Sequence, residues 1–432
     1  MTDNNANWKK ARIKDVSTPY TGNSIKDEHK DLYIDNINAI PYISTKDIND
    51  KFQTIDFDNG LFIKNSDKSF RRAPKNSTLL CIEGGNAGKK IAFNDRTVCF
   101  VNKLCCFHSK TENNKFLYYF LMSPSFTEEF KSRITGLIGG VSVSALRNIH
   151  IRLPALDEQE KIANFLDEKC TEIDKLSEDI QKQIDILNDY KKSVITRAVT
   201  KGLDPNAEMK DGRVDWAKNI PKTWKVTKLK YLFDFGKGLN ITKADLVPEG
   251  LPVVSYGQIH SKLNDKTSLS EELLRFVDNR YQVRYPQCRI KQGDFVFADT
   301  SEDYEGCGNC VYKRDNSKVF AGYHSIILKA KQNSDNRYLA YLFTTDLWRK
   351  QIRTAVSGVK VFSITQNILS RASVILPPEK EKLIIADYLD GVCSDIEYSI
   401  SAKYSQLENL TIYKKSIIYE YVTGKKRVKG AL

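Results

Sequence analysis

The sequence predicts an α+β chain in which two mixed α/β domains are joined by two long helices forming an antiparallel coiled coil, with internal pseudo-two-fold duplication. Three observations carry that prediction. Leu153 to Thr200 recurs as Leu376 to Thr423 at a constant offset of 223 positions without a gap, a match too long for chance. Apolar residues in both copies recur in alternating steps of four and three, the spacing of an amphipathic helix. Upstream of each copy, a shorter likeness pairs Trp8 with Trp224 and Gly22 with Gly238.

The long repeat aligns Leu166-Asp167 with Leu389-Asp390, Cys170 with Cys393, and Tyr190-Lys191-Lys192-Ser193 with Tyr413-Lys414-Lys415-Ser416. Proline stands just upstream of each copy and none interrupts its interior, so each reads as one helix. The predicted seam of the first is Ile162, Leu166, Lys169, Ile173, Leu176, Ile180, Gln183, Leu187, Tyr190 and Val194. That of the second is Ile385, Leu389, Val392, Ile396, Ser399, Lys403, Gln406, Leu410, Tyr413 and Ile417. A heptad seam calls for a partner, and the nearest is the other copy. Gln183 and Gln406 at equivalent seam positions are expected to hydrogen-bond and fix the register. The alternative is two independent amphipathic helices, each packed on its own domain. About 40 helical residues span roughly 60 Å.

The domains come before the helices. Trp8 opens a short alternating strand and turn that returns at Trp224, and Ile40-Pro41-Tyr42-Ile43-Ser44 resembles Leu251-Pro252-Val253-Val254-Ser255. Strands are expected over 78–83 and 97–107 around the loop Gly84 to Lys90, and over 294–298 and 311–312 around the loop Thr300 to Cys310. Helices over 114–122 and 336–343 follow, then glycine-bearing loops at 136–141 and 357–361. Between the halves, Lys201 to Trp224 reads as an ordered connector into which Trp216 and Trp224 dock.

The chain carries 67 basic and 54 acidic residues, a net charge of +13. The excess is local: +7 over 1–152, −5 over 153–211, +10 over 212–375 and +1 over 376–432. Two basic bodies with a non-basic spacer suggest a polyanion touched at two places. No run of about 18 apolar residues occurs, so a cytoplasmic protein with no membrane partner is expected.

Signals for catalysis are weak. Glu83 occupies the place where a phosphate-binding loop needs its first glycine, and Lys90 stands for the Ser or Thr. Cys307-Gly-Asn-Cys310 lacks a second ligand pair, so no metal is expected, and the five histidines form no metal spacing or triad. A chain with two copies of each part and no catalytic constellation reads as a binder. Candidate DNA contacts in the first domain are Asn23, Ser24, Lys26, Arg71, Arg72, Lys89, Lys90 and Arg133. The second offers Lys237, Asn240, Tyr256, Gln258, Arg275, Arg280, Arg284, Tyr304 and Lys360. These residue types bind phosphates or base edges.

The motifs LPxLxEQxxIAxFLD at Leu153 to Asp167, YKKSVITRAVTKGLDPN at Tyr190 to Asn206 and VDWAKNIPKTW at Val214 to Trp224, with the second copy from Leu376, resemble the specificity subunits of type I restriction–modification enzymes over essentially the full length. That resemblance implies target-recognition domains at 1–152 and 224–375, a central conserved helical region at 153–203, a connector at 204–223 and a distal conserved helical region at 376–432. Each recognition domain would read one half of an asymmetric bipartite DNA target, while the helix pair sets the unread spacer. The subunit would have no catalytic activity and bind no cofactor itself. Two modification subunits, which use S-adenosylmethionine to methylate adenine, would dock on it, and two ATP-driven, Mg-dependent restriction subunits would complete the nuclease. Asp157 to Glu160 and Glu379 to Lys382 are candidate docking faces. The second copy departs from the pattern, with EKEKL for the EQ motif and a GKKRVKG end. A self-contained DNA-modifying enzyme and a coiled-coil adaptor with no DNA role are the competing readings.

Overall fold

A computed structural model describes residues 8–332, 334–358 and 360–428. Val359 of the 357–361 loop and Lys429-Gly430 of the terminal run lie outside them. Contacts divide the chain into two compact units, residues 1–182 with 403–432 and residues 183–402.

In the first unit Lys9–Arg12 pairs antiparallel with His150–Leu153, tying together the two ends of the globular part. One four-stranded sheet has the order Tyr20–Thr21, Leu104–Phe107, Ser77–Cys81, Ile91–Asn94. A second has the order Phe62–Lys64, Ala39–Ile43, Val98–Phe100, Arg72–Ala73. Within it Ala39–Ile43 and Val98–Phe100 run parallel, with Ile43 opposite Phe100. The single strand expected over 97–107 is therefore two, because Val98–Phe100 pairs in one sheet and Leu104–Phe107 in the other. The strand expected to Glu83 ends at Cys81. Helix Asn114–Met122 forms where expected, its first amides capped by the Asn113 side chain. Ser123 and Pro124 then stop it and start Pro124–Lys131, Ser as cap and Pro at the first helical position.

The second unit repeats the plan. Lys225–Lys228 pairs with Ser373–Leu376, and a sheet runs Phe233–Lys237, Ser325–Ala330, Phe295–Ala298, Cys310–Tyr312. In the other sheet Leu251–Val254 and Val319–Ala321 are the parallel pair. Its helices are Arg337–Thr344, one residue later than expected at each end, and Asp346–Ala355. The connector folds as a hairpin, Met209–Asp211 with Asn219–Pro221. Trp216 and Trp224 are buried in the second unit's core beside Ile195 and Val199.

The long helices are Leu156–Lys201 and Glu379–Val422. In the first unit the opening half of one lies against the closing half of the other: the Phe165 and Tyr421 rings meet at a tilt with centroids 4.4 Å apart, and Lys414 Nζ donates to Asp174 at 2.7 Å. In the second unit the closing half of the first helix carries Lys191, ion-paired with Glu397 from the opening half of the second. Both units thus show antiparallel packing, and the two ion pairs join equivalent positions of the repeat.

The buried stripe differs from the expected heptad seam. Ile162, Leu166, Ile173, Ile180 and Leu187 are in it, as are Ile385, Leu389, Ile396 and Leu410, buried or half-buried. Leu176, Gln183, Tyr190, Gln406 and Tyr413 are exposed instead. Their places are taken one residue later by Ser177, Ile184, Lys191, Leu407 and Lys414, and Cys170 and Cys393 are buried ahead of them. Both helices follow the same steps, four, four, three, four, three, four, three, four, four, from Ile162 to Ile195 and from Ile385 to Ile418. From Leu166 to Lys191 and from Leu389 to Lys414 those steps still repeat every seven residues, in a different register from the expected seam, and the extra steps of four at the ends bring the average to about 3.7 residues per turn. The heptad reading counted large side chains, but the lysine stems of Lys191 and Lys414 occupy stripe positions while their ammonium groups reach carboxylates.

A side-chain clamp at each helix start survives the duplication. Lys115 and the Tyr119 hydroxyl donate to Asp167 at 2.9 and 2.7 Å. At the equivalent places Arg337 and the Tyr341 hydroxyl donate to Asp390 at 2.5 and 2.7 Å, and Arg314 adds a third donor at 2.6 Å. Of the expected docking stretches, Gln159 is fully buried, with bonds to Asn113, Glu112 and Pro154. Lys382 is also buried, on Glu379. Both anchor helix starts, and Glu381 accepts from the buried Trp224 indole at 3.0 Å, so Asp157, Glu160, Glu379 and Lys380 are the exposed residues there. Among the described residues no helix is long and apolar enough to cross a membrane.

Candidate nucleic-acid interface

In each unit the parallel strands deliver two chain segments from their carboxyl ends to one place. Ser44 follows Ile43 and forms a reciprocal cap with Asp47, its amide donating to the Asp47 carboxylate at 2.7 Å. Ser255 follows Val254 and does the same with Gln258 at 3.2 Å. A glycine crosses the end of the partner strand in both units. A Cβ at Gly22 would lie 1.8 Å from the Phe100 carbonyl oxygen, and one at Gly238 would lie 1.9 Å from that of Gly322. The Gly22 and Gly238 likeness in the sequence records this close approach.

The two glycine-bearing loops of each unit also meet. In the first, Glu83 bridges to Gly140, and Gly84 N donates to Gly139 O at 2.8 Å. In the second, Thr300–Ser301 pairs with Phe362–Ser363. Lys90 fastens the first unit's loop to its strand end, donating to Thr45 O at 2.8 Å. In the second unit His260 Nε2 donates to Thr300 O at 2.8 Å, and Asn309 Nδ2 donates to His260 Nδ1 at 3.1 Å.

Beyond that common frame the chemistry diverges. Lys46 and Lys103 stand exposed near the first unit's strand ends. Aliphatic side chains top its second loop, Leu137 and Ile138, 109% and 73% exposed. In the second unit Tyr256, Tyr323 and His324 stand at the strand ends. Tyr256 contacts His260, Tyr323 and His324 ring to ring, and its hydroxyl donates to Glu302 at 3.0 Å. That hydrogen bond, then burial, raises the phenol above its ordinary value and keeps it a donor. Buried Arg349 holds the 300–310 loop from beneath, donating to Glu305 O at 2.5 Å, Cys307 O at 3.1 Å and Asn309 Oδ1 at 2.7 Å.

Several expected contacts are occupied internally. Arg72 is bound to Asn65 and Asp67 backbone oxygens, Lys90 to Thr45, Arg133 to Glu129, and Gln258 to its cap. Asn23 accepts from the Arg71 amide, while the Arg71 side chain reaches Thr21 O. Lys26 pairs loosely with Glu28. Ser24, Lys89, Lys237, Asn240 and Lys360 are exposed, and Tyr304 is 45% exposed against Phe362. Arg275 is exposed beside Val253. Arg280 and Arg284 lie beyond Val277, whose partner Leu251 begins the parallel strand, so they belong to its opposite end. Glu302, His260, Tyr323, His324, Lys46 and Lys103 escaped the sequence reading, since only the parallel pairing shows which segments share an end. Cys307 and Cys310 are buried, Cys310 with its thiol pushed up by burial to about 12. Among the described residues no three His, Cys, Asp or Glu side chains group as a metal requires.

The profile of the type I restriction modification DNA specificity domain matches residues 5–185 and 221–409. The chain belongs to the type I restriction–modification DNA specificity family. Among its relatives in that family is the type I restriction enzyme MjaVIII specificity subunit of Methanocaldococcus jannaschii, 26% identical over 402 residues, 90% of this chain and 87% of the relative. The type I restriction enzyme EcoKI specificity subunit of Escherichia coli K12 is 22% identical over 423 residues, covering 94% and 86%. A chain solved in a study of complex assembly and conformational transition of the type I R-M system shares the fold, with a TM-score of 0.72 at 15% identity over 97% of this chain and 98% of that one. The HsdS subunit of Thermoanaerobacter tengcongensis matches at a TM-score of 0.50, also 15% identical, over 98% of each chain. As a member of the specificity family this chain recognises DNA and is not an enzyme.

Proposed function

We propose that the globular parts at 1–152 and 224–375 each read one half of an asymmetric bipartite DNA sequence through their strand-end loops, while the helical regions at 153–203 and 376–432, with the 204–223 connector, set the unread spacer. The observation that supports this most directly is a common frame bearing different side chains: a glycine crossing and a side-chain cap at corresponding places in both units, with exposed lysines at the strand ends of one and aromatic and acidic groups at those of the other. The same frame reading different bases is what an asymmetric target requires. Ser24, Lys89, Lys237, Asn240, Tyr256, Tyr304 and Lys360 are the foremost contact residues from the sequence reading, with phosphate contacts positioning and base contacts specifying.

In this reading two modification subunits, carrying S-adenosylmethionine for adenine methylation, dock on the outward faces of the helical regions. Two restriction subunits carrying ATP and Mg complete a cytoplasmic phage-defence complex. The test is base-resolution adenine methylation in a clean host expressing this chain with the modification subunit encoded beside it. A split, asymmetric motif that vanishes when this chain is omitted is the expected result. A palindromic motif, or methylation independent of the chain, would sink the proposal.

A further inference from the structure

One carboxylate in the second unit is held in a way that ordinary surface charge is not. Glu302 is exposed near the start of the 300–310 loop and accepts from the Tyr256 hydroxyl through Oε1 at 3.0 Å. Tyr256 is itself fixed by its ring contacts with His260, Tyr323 and His324. The loop cannot easily yield, because Ser301 Oγ donates to Asp303 O at 2.7 Å, and Arg349 and Arg353 donate to Glu305 O at 2.5 and 2.9 Å. Beside it lies a cavity of about 480 Å³ whose wall includes Tyr256, His260, Glu302 and Arg353. Arg353 is only 8% exposed, and its Nε has no hydrogen-bond partner among the described residues. Its guanidinium also pairs with Glu305 and Asp346 at 3.0 and 3.1 Å, so the space that Glu302 borders has a wall of fixed charged groups.

A carboxylate on a DNA-facing surface is repelled by phosphates, so it weakens sequence-independent affinity. It is compensated only where it meets a hydrogen-bond donor. In the major groove those donors are the exocyclic amino groups, N4 of cytosine and N6 of adenine, whereas guanine and thymine present acceptors there. We infer that Glu302, oriented by Tyr256, accepts a hydrogen bond from the amino group of a cytosine or adenine in the half-site read by the second recognition domain. Guanine and thymine are rejected at that position of the contacted strand. The first unit has no such tyrosine–carboxylate pair: Thr45 stands where Tyr256 does, so Glu83 at the start of its loop lacks that orienting hydroxyl, and Lys46 and Lys103 are exposed nearby. This inference rests on the split-target reading above and assigns one side chain within it.

The experiment compares the native chain with Glu302→Gln and Tyr256→Phe, each expressed with the modification subunit, by adenine methylome. The same complexes are also selected against a randomised duplex pool, a readout that needs no methylation. A native split motif bears on the wider reading alone. Glu302→Gln is isosteric and exposed, so melting temperature should hold. Its discrimination at one A-or-C position in one half-site should fall roughly tenfold or more, with Tyr256→Phe intermediate and the other half-site untouched. An unchanged motif in Glu302→Gln, in either readout, would overturn the inference. So would relaxation in both halves, or loss of all binding by a chain that still folds.

Discussion

The strand-end sites of the two units share their backbone and differ in what supports their loops. In the first, the loop closes on itself through backbone bonds, with a lysine fastening it to a strand end. In the second, an arginine planted in the helix beneath holds three loop acceptors, and a tyrosine orients a carboxylate on top. Thr127 stands where Arg349 does and bonds only within its own turn of helix, to Ser123 O. The frame is set by glycines, caps and parallel pairing, which both copies keep. The loops carry the chemistry, and there the copies have parted.

The largest expected effect breaks that contrast at its support. Arg349→Ala takes the arginine donor from the Cys307 carbonyl and Asn309 Oδ1 and empties a buried site, and should cost about 3 kcal/mol in the second unit's unfolding, read by chemical denaturation. Thr127→Ala should cost under about 1 kcal/mol; equal losses would show that the loops are supported alike. Next, Gly22→Ala and Gly238→Ala each drive a Cβ into a carbonyl oxygen and should cost about 2 kcal/mol apiece. Here equality is the expected outcome, and a harmless Gly238→Ala would dissolve the common frame.

The helix-start clamps sharpen the comparison through pH. Burial pushes the Asp390 carboxyl up, but hydrogen bonds from Tyr341, Arg314 and Arg337 outweigh it and hold the group below its ordinary value. Its stabilising contribution is therefore present at neutral pH and is lost as pH falls through that lowered value. Asp390→Asn should lower the melting temperature at pH 7, and the difference from the native chain should close in acid. A difference independent of pH would rule out the charged clamp. The smallest effects belong to the helix ion pairs. Lys414→Met should cost about 1 kcal/mol and Lys191→Met a few tenths, because Lys414 reaches both oxygens of a half-buried Asp174 while Glu397 is largely exposed.

Much of this architecture was legible in the sequence because duplication writes each part twice. The long helices, the helix at 114–122 and the docking of Trp224 followed from spacing and apolar pattern. The split of 97–107 did not, since a change of sheet at Val101 to Lys103 leaves the apolar pattern unbroken. The helix stripe was misread by one residue at Leu176, Gln183, Tyr190, Gln406 and Tyr413, in part because the lysine stems of Lys191 and Lys414 and the small Ser177 fill places that pattern reading reserves for large apolar residues. Site residues were the least legible. Arg72, Lys90 and Gln258 look like free contacts as letters, yet each is committed to a neighbouring loop or cap. Glu302 carries no signal as a letter, and only the Tyr256 hydroxyl bonded to it marks it out.

The stripe along the long helices has one further consequence. A surface that must keep facing one side can grow only in steps close to whole turns of helix. Seven added residues turn the downstream half by about 20° one way and eleven by about 20° the other, whereas eighteen, five whole turns, restore its facing and add about 27 Å. One such step comes to about four-fifths of a turn of DNA. The unread gap of a split target is in this sense quantised, and lineages that change it should do so in whole steps of the stripe.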